Sequence, residues 1–247
     1  MSARKRAPEQ GRALRGRVAL VTGAGRGLGR AIASELSRHG ARMVLTARTA
    51  REIRATARAL ERKGGQALAH PCDVRDSRQV AELLAASVAR FRNLDILVNN
   101  AGVFRMAPLQ KTDETMWDDI LDTNLKGTYL VTRAALPQLE RRKGQIVNIL
   151  STAARIVFPD NSAYCASKWG LLGFTNALRD ELRPRGIRVS AVLPGAVDTP
   201  IWDEVPGHWE RDTMLRPDAV ARAVAHVCTQ VGSASTDEIL LTPARRA

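Results

Sequence analysis

Val18-Ala19-Leu20-Val21-Thr22-Gly23-Ala24-Gly25-Arg26-Gly27-Leu28-Gly29 is the stretch that decides the fold. The apolar run reads as a buried strand, and the glycines that follow read as a sharp turn. Beyond the turn, Leu28, Ile32 and Leu36 recur at helical spacing, so a helix runs from about Gly27 to His39 and stops at Gly40. Glycines at such a hinge let the backbone approach a pyrophosphate closely. The helix N-terminus adds free N–H groups and the positive end of its dipole. Glycine also marks ordinary turns, so the strand–turn–helix context carries the phosphate reading more than the glycines do.

Outward from this unit the alternation repeats. Strands are read at Met43–Leu45, near Ala67–His70, and at Asp95–Val98, Ile146–Leu150, Ile187–Leu193 and Glu238–Leu241. Thr49-Ala50-Arg51-Glu52 fits a capping box opening the second helix. Further helices are expected from about Asp76 to Arg92, Thr115 to Leu139, Ser162 to Leu182 and Pro217 to Val231, the long one opened by Thr115-Met116-Trp117-Asp118. Continuous apolar strands alternating with helices imply a parallel sheet covered on both faces. Right-handed crossovers make it a doubly wound α/β sheet of about seven strands, with ligands bound outside the carboxyl ends of the strands.

The chain has 247 residues and is 45% hydrophobic, enough for one domain over 17–247. Residues 1–16 read as a disordered basic arm. Met1 to Arg17 carries six basic residues without the apolar core of a secretory signal, and Glu9 with few serines argues against a transit peptide. No run approaches the ~18 apolar residues of a spanning helix, so no membrane association is expected. Cys72, Cys165 and Cys228 are widely spaced, and His39, His70, His208 and His226 show no ligand spacing. That suits a reducing cytoplasm with neither disulfides nor a metal. The net charge of +13 comes from 32 Arg and 6 Lys, scattered and mixed with acids outside the arm. It reads as general attraction to polyanions, not as a specific nucleic-acid site.

The remaining signals each follow a strand. They are Asp73-Val74, Asn99-Asn100-Ala101-Gly102, Ser151, and Pro194-Gly195-Ala196-Val197-Asp198-Thr199. Tyr164 and Lys168 lie four apart on a helix and share a face, 13 residues beyond Ser151. Taken singly, a helical Tyr is commonly a packed aromatic, a Lys a solvated charge, a Ser after a strand a turn residue and Asp73 a helix cap. In order and spacing, Thr22-Gly23-x-x-x-Gly27-x-Gly29 and these later motifs resemble the short-chain dehydrogenase/reductase family, from about Arg17 to Pro243.

The resemblance implies a Rossmann-like domain, a nicotinamide cofactor and oxidoreductase activity between NADP(H) and a ketone, aldehyde or secondary alcohol. It implies a catalytic set of Asn124, Ser151, Tyr164 and Lys168. It further implies cofactor contacts from Gly23, Arg26, Gly27, Leu28, Gly29, Arg48, Asp73, Val74, Asn99, Asn100, Ala101, Gly102, Tyr164, Lys168, Pro194, Gly195, Val197 and Thr199. At the end of the second strand Ala47 stands where an NAD-preferring protein carries an acid. Arg48 beside it and Arg26 in the glycine loop could clamp a 2′-phosphate, or both could be plain surface arginines. NADP(H) is the expected cofactor.

Residue chemistry explains the set. A phenol has a reference pKa of about 10, which a nearby ammonium brings towards neutrality. Ser151 would hold the substrate oxygen, Asn124 a water linking Lys168 to solvent, and Tyr164 would pass a proton to that oxygen. Residues 200–215 look like a substrate lid, whose Trp202, Val205, Pro206, His208 and Trp209 either wall a pocket or close the hydrophobic edge. The family likeness also implies a homo-dimer or homo-tetramer packed through the helices carrying Asn124 and Tyr164. The chain ends Ile239-Leu240-Leu241-Thr242-Pro243 where many members carry Asp-Gly-Gly, which bears on tetramer packing and the pocket. A non-catalytic NADP(H) sensor or scaffold on the same fold is the alternative, disfavoured by the complete catalytic set. The motifs alone do not choose among a 3-oxoacyl thioester, a polyketide, a sugar, a steroid and a simple ketone.

Overall fold

The computed structural model describes residues 13–244. The chain alternates β1 (Val18–Thr22), α1 (Gly27–Arg38), β2 (Arg42–Thr46), α2 (Ala50–Glu61), β3 (Ala67–Ala69), α3 (Ser77–Phe91) and β4 (Ile96–Asn99). It continues through α4 (Glu114–Leu121), α5 (Gly127–Arg142), β5 (Gln145–Ile149), α6 (Ser162–Leu182), β6 (Arg188–Pro194), α7 (Pro217–Thr229) and β7 (Glu238–Leu241). The strands form one parallel sheet of seven in the order β3-β2-β1-β4-β5-β6-β7. Winding runs outward from β1 to β3, then reverses to β4. The crevice between β1 and β4 is therefore the switch point at which doubly wound sheets bind ligands.

The strands are apolar on both sides because both faces are covered. One face buries Ile32, Leu36, Ile53 and Val224 from α1, α2 and α7. The other buries Leu83, Val131 and Leu139 from α3 and α5. Leu14, counted with the arm in sequence, is buried in the first of these, and its N–H donates to the His39 carbonyl. The fold thus takes in residues 13–16; residues 1–12 of the expected arm lie outside the described residues. No helix among the described residues is long and apolar enough to cross a membrane.

Local details depart from the sequence expectations. The single helix expected from Thr115 is two helices joined by a π-helical turn, Asp122–Lys126. Asp113, not Thr115, caps it, accepting from Met116 N–H at 2.7 Å. Gly127, just after the turn, packs so closely on the segment leading into α3 that an added Cβ would stand 2.7 Å from Val74 Cγ2. Such turns cluster at functional sites, and this one buries Asn124. Thr49 does stand at the start of α2, but its hydroxyl makes no capping bond.

Candidate active site

The glycine turn is held rigidly open. Thr22 Oγ1 accepts the N–H groups of Asn100 and Ala101, both at 2.9 Å. The Asn100 amide donates back to the Thr22 carbonyl at 2.8 Å. These bonds join the carboxyl ends of β1 and β4 across the crevice. Gly23 has φ +65°, a conformation that side-chain-bearing residues rarely adopt. A Cβ at Gly29 would overlap the Gly23 carbonyl oxygen and stand 2.5 Å from Asn100 Nδ2. No side chain caps α1, and its first turn carries no acid. Its N-terminal N–H groups therefore remain for an anion.

Below this turn opens a cleft of about 1270 Å³. Every residue nominated for cofactor contact lines it except Asn99, and so do Ser151, Tyr164 and Lys168. Asn99 and Asn124 stand behind the wall. Asn99 Nδ2 donates to Thr132 Oγ1 and Asn148 Oδ1, both at 2.9 Å, and Asn148 donates on to Thr175. This buried polar chain ties α5 and α6 to the sheet directly under the site.

At the far end of the cleft Arg48 is exposed, with no ion pair or hydrogen bond among the described residues. Arg26 is engaged: its Nη2 donates to Glu204 Oε1, in the 200–215 segment, at 2.6 Å, and the other Glu204 oxygen lies 3.2 Å from Arg105. Glu204 is held below the usual carboxylate range, chiefly by Arg26. Asp73 is likewise occupied. Arg75 grips both its oxygens, at 2.6 to 3.1 Å, keeps its carboxyl low, and reaches on to Asp119. Sequence reasoning missed Glu204, Arg105 and Arg75. Only Arg75 left a signal, two residues beyond Asp73.

The reactive end is built on β5 and α6. Ser151 caps a short 3-10 turn, Thr152–Ala154, and its Oγ accepts from Ala153 N–H at 3.1 Å, leaving its own hydrogen to donate into the cleft, where Tyr164 is its neighbour. One turn of α6 separates Tyr164 from Lys168, whose Nζ lies 5.6 Å from the tyrosine ring centroid. The ammonium donates to the Ile149 carbonyl at 3.2 Å. Burial pushes the Tyr164 phenol up to about 12, opposed by a hydrogen bond with Ser151. Burial also draws Lys168 down to about 8. The expected lowering of the phenol by Lys168 is thus not what this arrangement produces: desolvation favours the neutral form of each group.

Asn124 frames these residues. Its Oδ1 accepts from Val103 N–H at 2.8 Å, while Nδ2 donates to the Val103 carbonyl and to Ser167 Oγ on α6. Both amide hydrogens are committed within the chain.

Over the cleft lies the segment foreseen as a lid. Arg211 organises it by donating to Asp198, Asp203 and the Thr199 carbonyl at 2.6, 2.8 and 2.9 Å. Thr199 and Pro200 rest on the glycine turn, 3.1 and 3.5 Å from where a Gly27 Cβ would be. The atypical C-terminal Thr242-Pro243 joins the cleft wall beside Gly195, whose N–H donates to the Leu241 carbonyl at 2.7 Å.

Comparison with known proteins agrees with this geometry. The family model for short chain dehydrogenases matches residues 17–208, and the chain belongs to that family. A Streptomyces virginiae protein bearing the name of a monensin polyketide synthase ketoacyl reductase is 42% identical over 192 residues, covering 76% of this chain and 74% of its own. A metagenomic short-chain oxidoreductase solved in complex with NADP is 39% identical. It has a TM-score of 0.84 over 95% of this chain and 100% of that one. A variant of the actinorhodin polyketide ketoreductase solved with NADPH is 35% identical, with a TM-score of 0.84 over 92% and 96%.

Proposed function

We propose that the chain is an NADP(H)-dependent oxidoreductase that interconverts a ketone or aldehyde and its alcohol, with Tyr164 as the general acid/base. The observation that carries this reading is convergence: Ser151, Tyr164 and Lys168 open into the same cleft as a glycine cradle that no side chain can fill. Two solved relatives bound to NADP or NADPH support the cofactor. The donor set fits it: uncapped N–H groups of α1 for the pyrophosphate, and Arg26 and Arg48 for a 2′-phosphate. Gly23, Gly27, Leu28 and Gly29 would meet the phosphates, Asp73 and Val74 the adenine, and Asn100, Ala101 and Gly102 the adenosine side. Pro194, Gly195, Val197 and Thr199 would meet the nicotinamide carboxamide.

When bound, the reduced nicotinamide supplies the hydride. The Ser151 hydroxyl donates to the substrate carbonyl oxygen and stabilises the charge that develops there. Tyr164, neutral and half-buried in the cleft wall, breaks its O–H bond to protonate that oxygen, completing the alcohol. Burial keeps the phenol in its neutral, donor form at neutral pH. Lys168 would hold the nicotinamide ribose hydroxyls with the ammonium hydrogens that the Ile149 carbonyl leaves free, and its charge would offset that of the phenolate. Asn124 acts as a positioning residue, keeping the π-helical turn clipped to α6. Copies of the chain pair through α5 and α6, whose outer faces leave Tyr129 and Trp169 exposed.

The test is NADPH oxidation across a ketone panel beside Tyr164→Phe. Turnover that the mutant loses while still binding NADPH supports the assignment. Full activity in the mutant removes Tyr164 from the acid role.

A further inference from the structure

The chain has four Trp, two Tyr and four Phe. Its buried clusters are aliphatic: Phe91 is their one buried aromatic, with Phe174 packed at an edge. Five aromatics, Phe104, Phe158, Tyr164, Trp202 and Trp209, line the cleft instead. Four form a continuous train leading out from the proposed acid. Phe104 meets Tyr164 edge to face with centroids 4.7 Å apart, and Trp202 meets Phe104 at 5.4 Å. Trp209 follows, 4.8 Å from Trp202. Both indole N–H groups are spent on backbone, Trp202 on the Val197 carbonyl just before this segment at 2.9 Å and Trp209 on the Val205 carbonyl within it at 3.2 Å. What they leave for a ligand is ring surface, not a donor.

Charge points the same way. Among the described residues, the substrate half of the cleft carries one charged wall residue besides Lys168, the exposed Asp160. The nearby Arg105 cation is occupied by Glu204. A carboxylate or phosphate on the substrate would meet the Asp160 anion, while the one cation on that wall, Lys168, is committed to the cofactor ribose in the proposed site.

Building on the reductase reading, we infer that the substrate is an uncharged ketone carrying an aromatic ring. The ring lies along Phe104, Trp202 and Trp209 while the carbonyl reaches Ser151 and Tyr164. Aromatic pairs attract beyond the apolar area they bury, so the walls favour an aromatic ring over a saturated one of the same size.

The test pairs phenylacetone with cyclohexylacetone. They differ only in the ring, neither carbonyl is conjugated, and the saturated ring is the more apolar. With the purified full chain and NADPH, kcat/KM is expected to favour phenylacetone about tenfold. Adding a para carboxylate to phenylacetone should lower it at least tenfold. Trp202→Leu and Phe104→Leu should each cut the phenyl-to-cyclohexyl ratio at least threefold, whereas a damaged lid would lower both ketones together. Equal reduction of the two ketones overturns the inference and leaves the reductase standing. Should neither be reduced, calorimetric titration into the NADPH-saturated protein decides. Phenylacetone binding about tenfold tighter supports the ring site while the reductase reading falls; equal or absent binding overturns both.

Discussion

Replacing Glu204 by Gln should make the protein bind NADPH more tightly. In the proposed site the Glu204 carboxylate occupies the guanidinium that the 2′-phosphate needs, with 2.6 Å between Arg26 Nη2 and Glu204 Oε1. The two side chains are 51% and 41% exposed, so solvent screens the pair and its worth lies at about 0.2–1 kcal/mol. The second contact, from Arg105 at 3.2 Å, places it towards the upper end of that range. Glutamine keeps the shape and removes the charge. Freed of its competitor, Arg26 should lower the NADPH Kd by up to about 5-fold, as 1.4 kcal/mol is a factor of ten. NADH has no 2′-phosphate and should bind as before. The assay is nicotinamide fluorescence titration with both cofactors, at low and high ionic strength, since added salt should shrink the difference. Equal tightening for NADH, or weaker NADPH binding, would refute the idea that lid and phosphate share Arg26.

Three further outcomes are expected. Arg48→Asp should cut kcat/KM with NADPH at least tenfold more than with NADH, because a bound 2′-phosphate would lose a cation and gain an anion; equal losses would remove Arg48 from the clamp. The pH profile of kcat/KM for reduction should fall above about pH 8 as Lys168, lowered by burial, loses its proton while Tyr164 keeps its own. A profile flat to pH 10 would show that the charged lysine is not needed. Gly29→Ala should cost about 1–3 kcal/mol in urea denaturation and weaken both cofactors alike, since the added methyl collides with the Gly23 backbone and with an Asn100 amide already pinned to the Thr22 carbonyl.

Much of the fold was legible because its signals are periodic and local. Continuous apolar runs marked the seven strands, and β7 came out at its observed bounds, Glu238–Leu241. The glycine spacing located the cradle because only glycine tolerates that approach of two backbones. Other features left no periodic trace. A π-helical turn adds one residue per turn inside an otherwise ordinary helical pattern, so Asp122–Lys126 reads as plain helix. Arg26 and Glu204 are 178 positions apart, and nothing in a chain so rich in arginine marks which acid each one meets. The effect of Lys168 on Tyr164 was misjudged for a related reason: charge proximity can be guessed from spacing, whereas the depth of burial that outweighs it cannot.

The placement of the aromatics has a spectroscopic consequence. Trp202 and Trp209 belong to the segment proposed as a lid, and Trp117 and Trp169 are partly exposed, so no indole reports from within the sheet's core. Intrinsic emission should therefore follow ligand entry and lid opening closely while following loss of the sheet poorly. A fluorescence-detected denaturation curve is expected to run ahead of one recorded by far-ultraviolet circular dichroism, and the gap between them would measure how independently the lid melts.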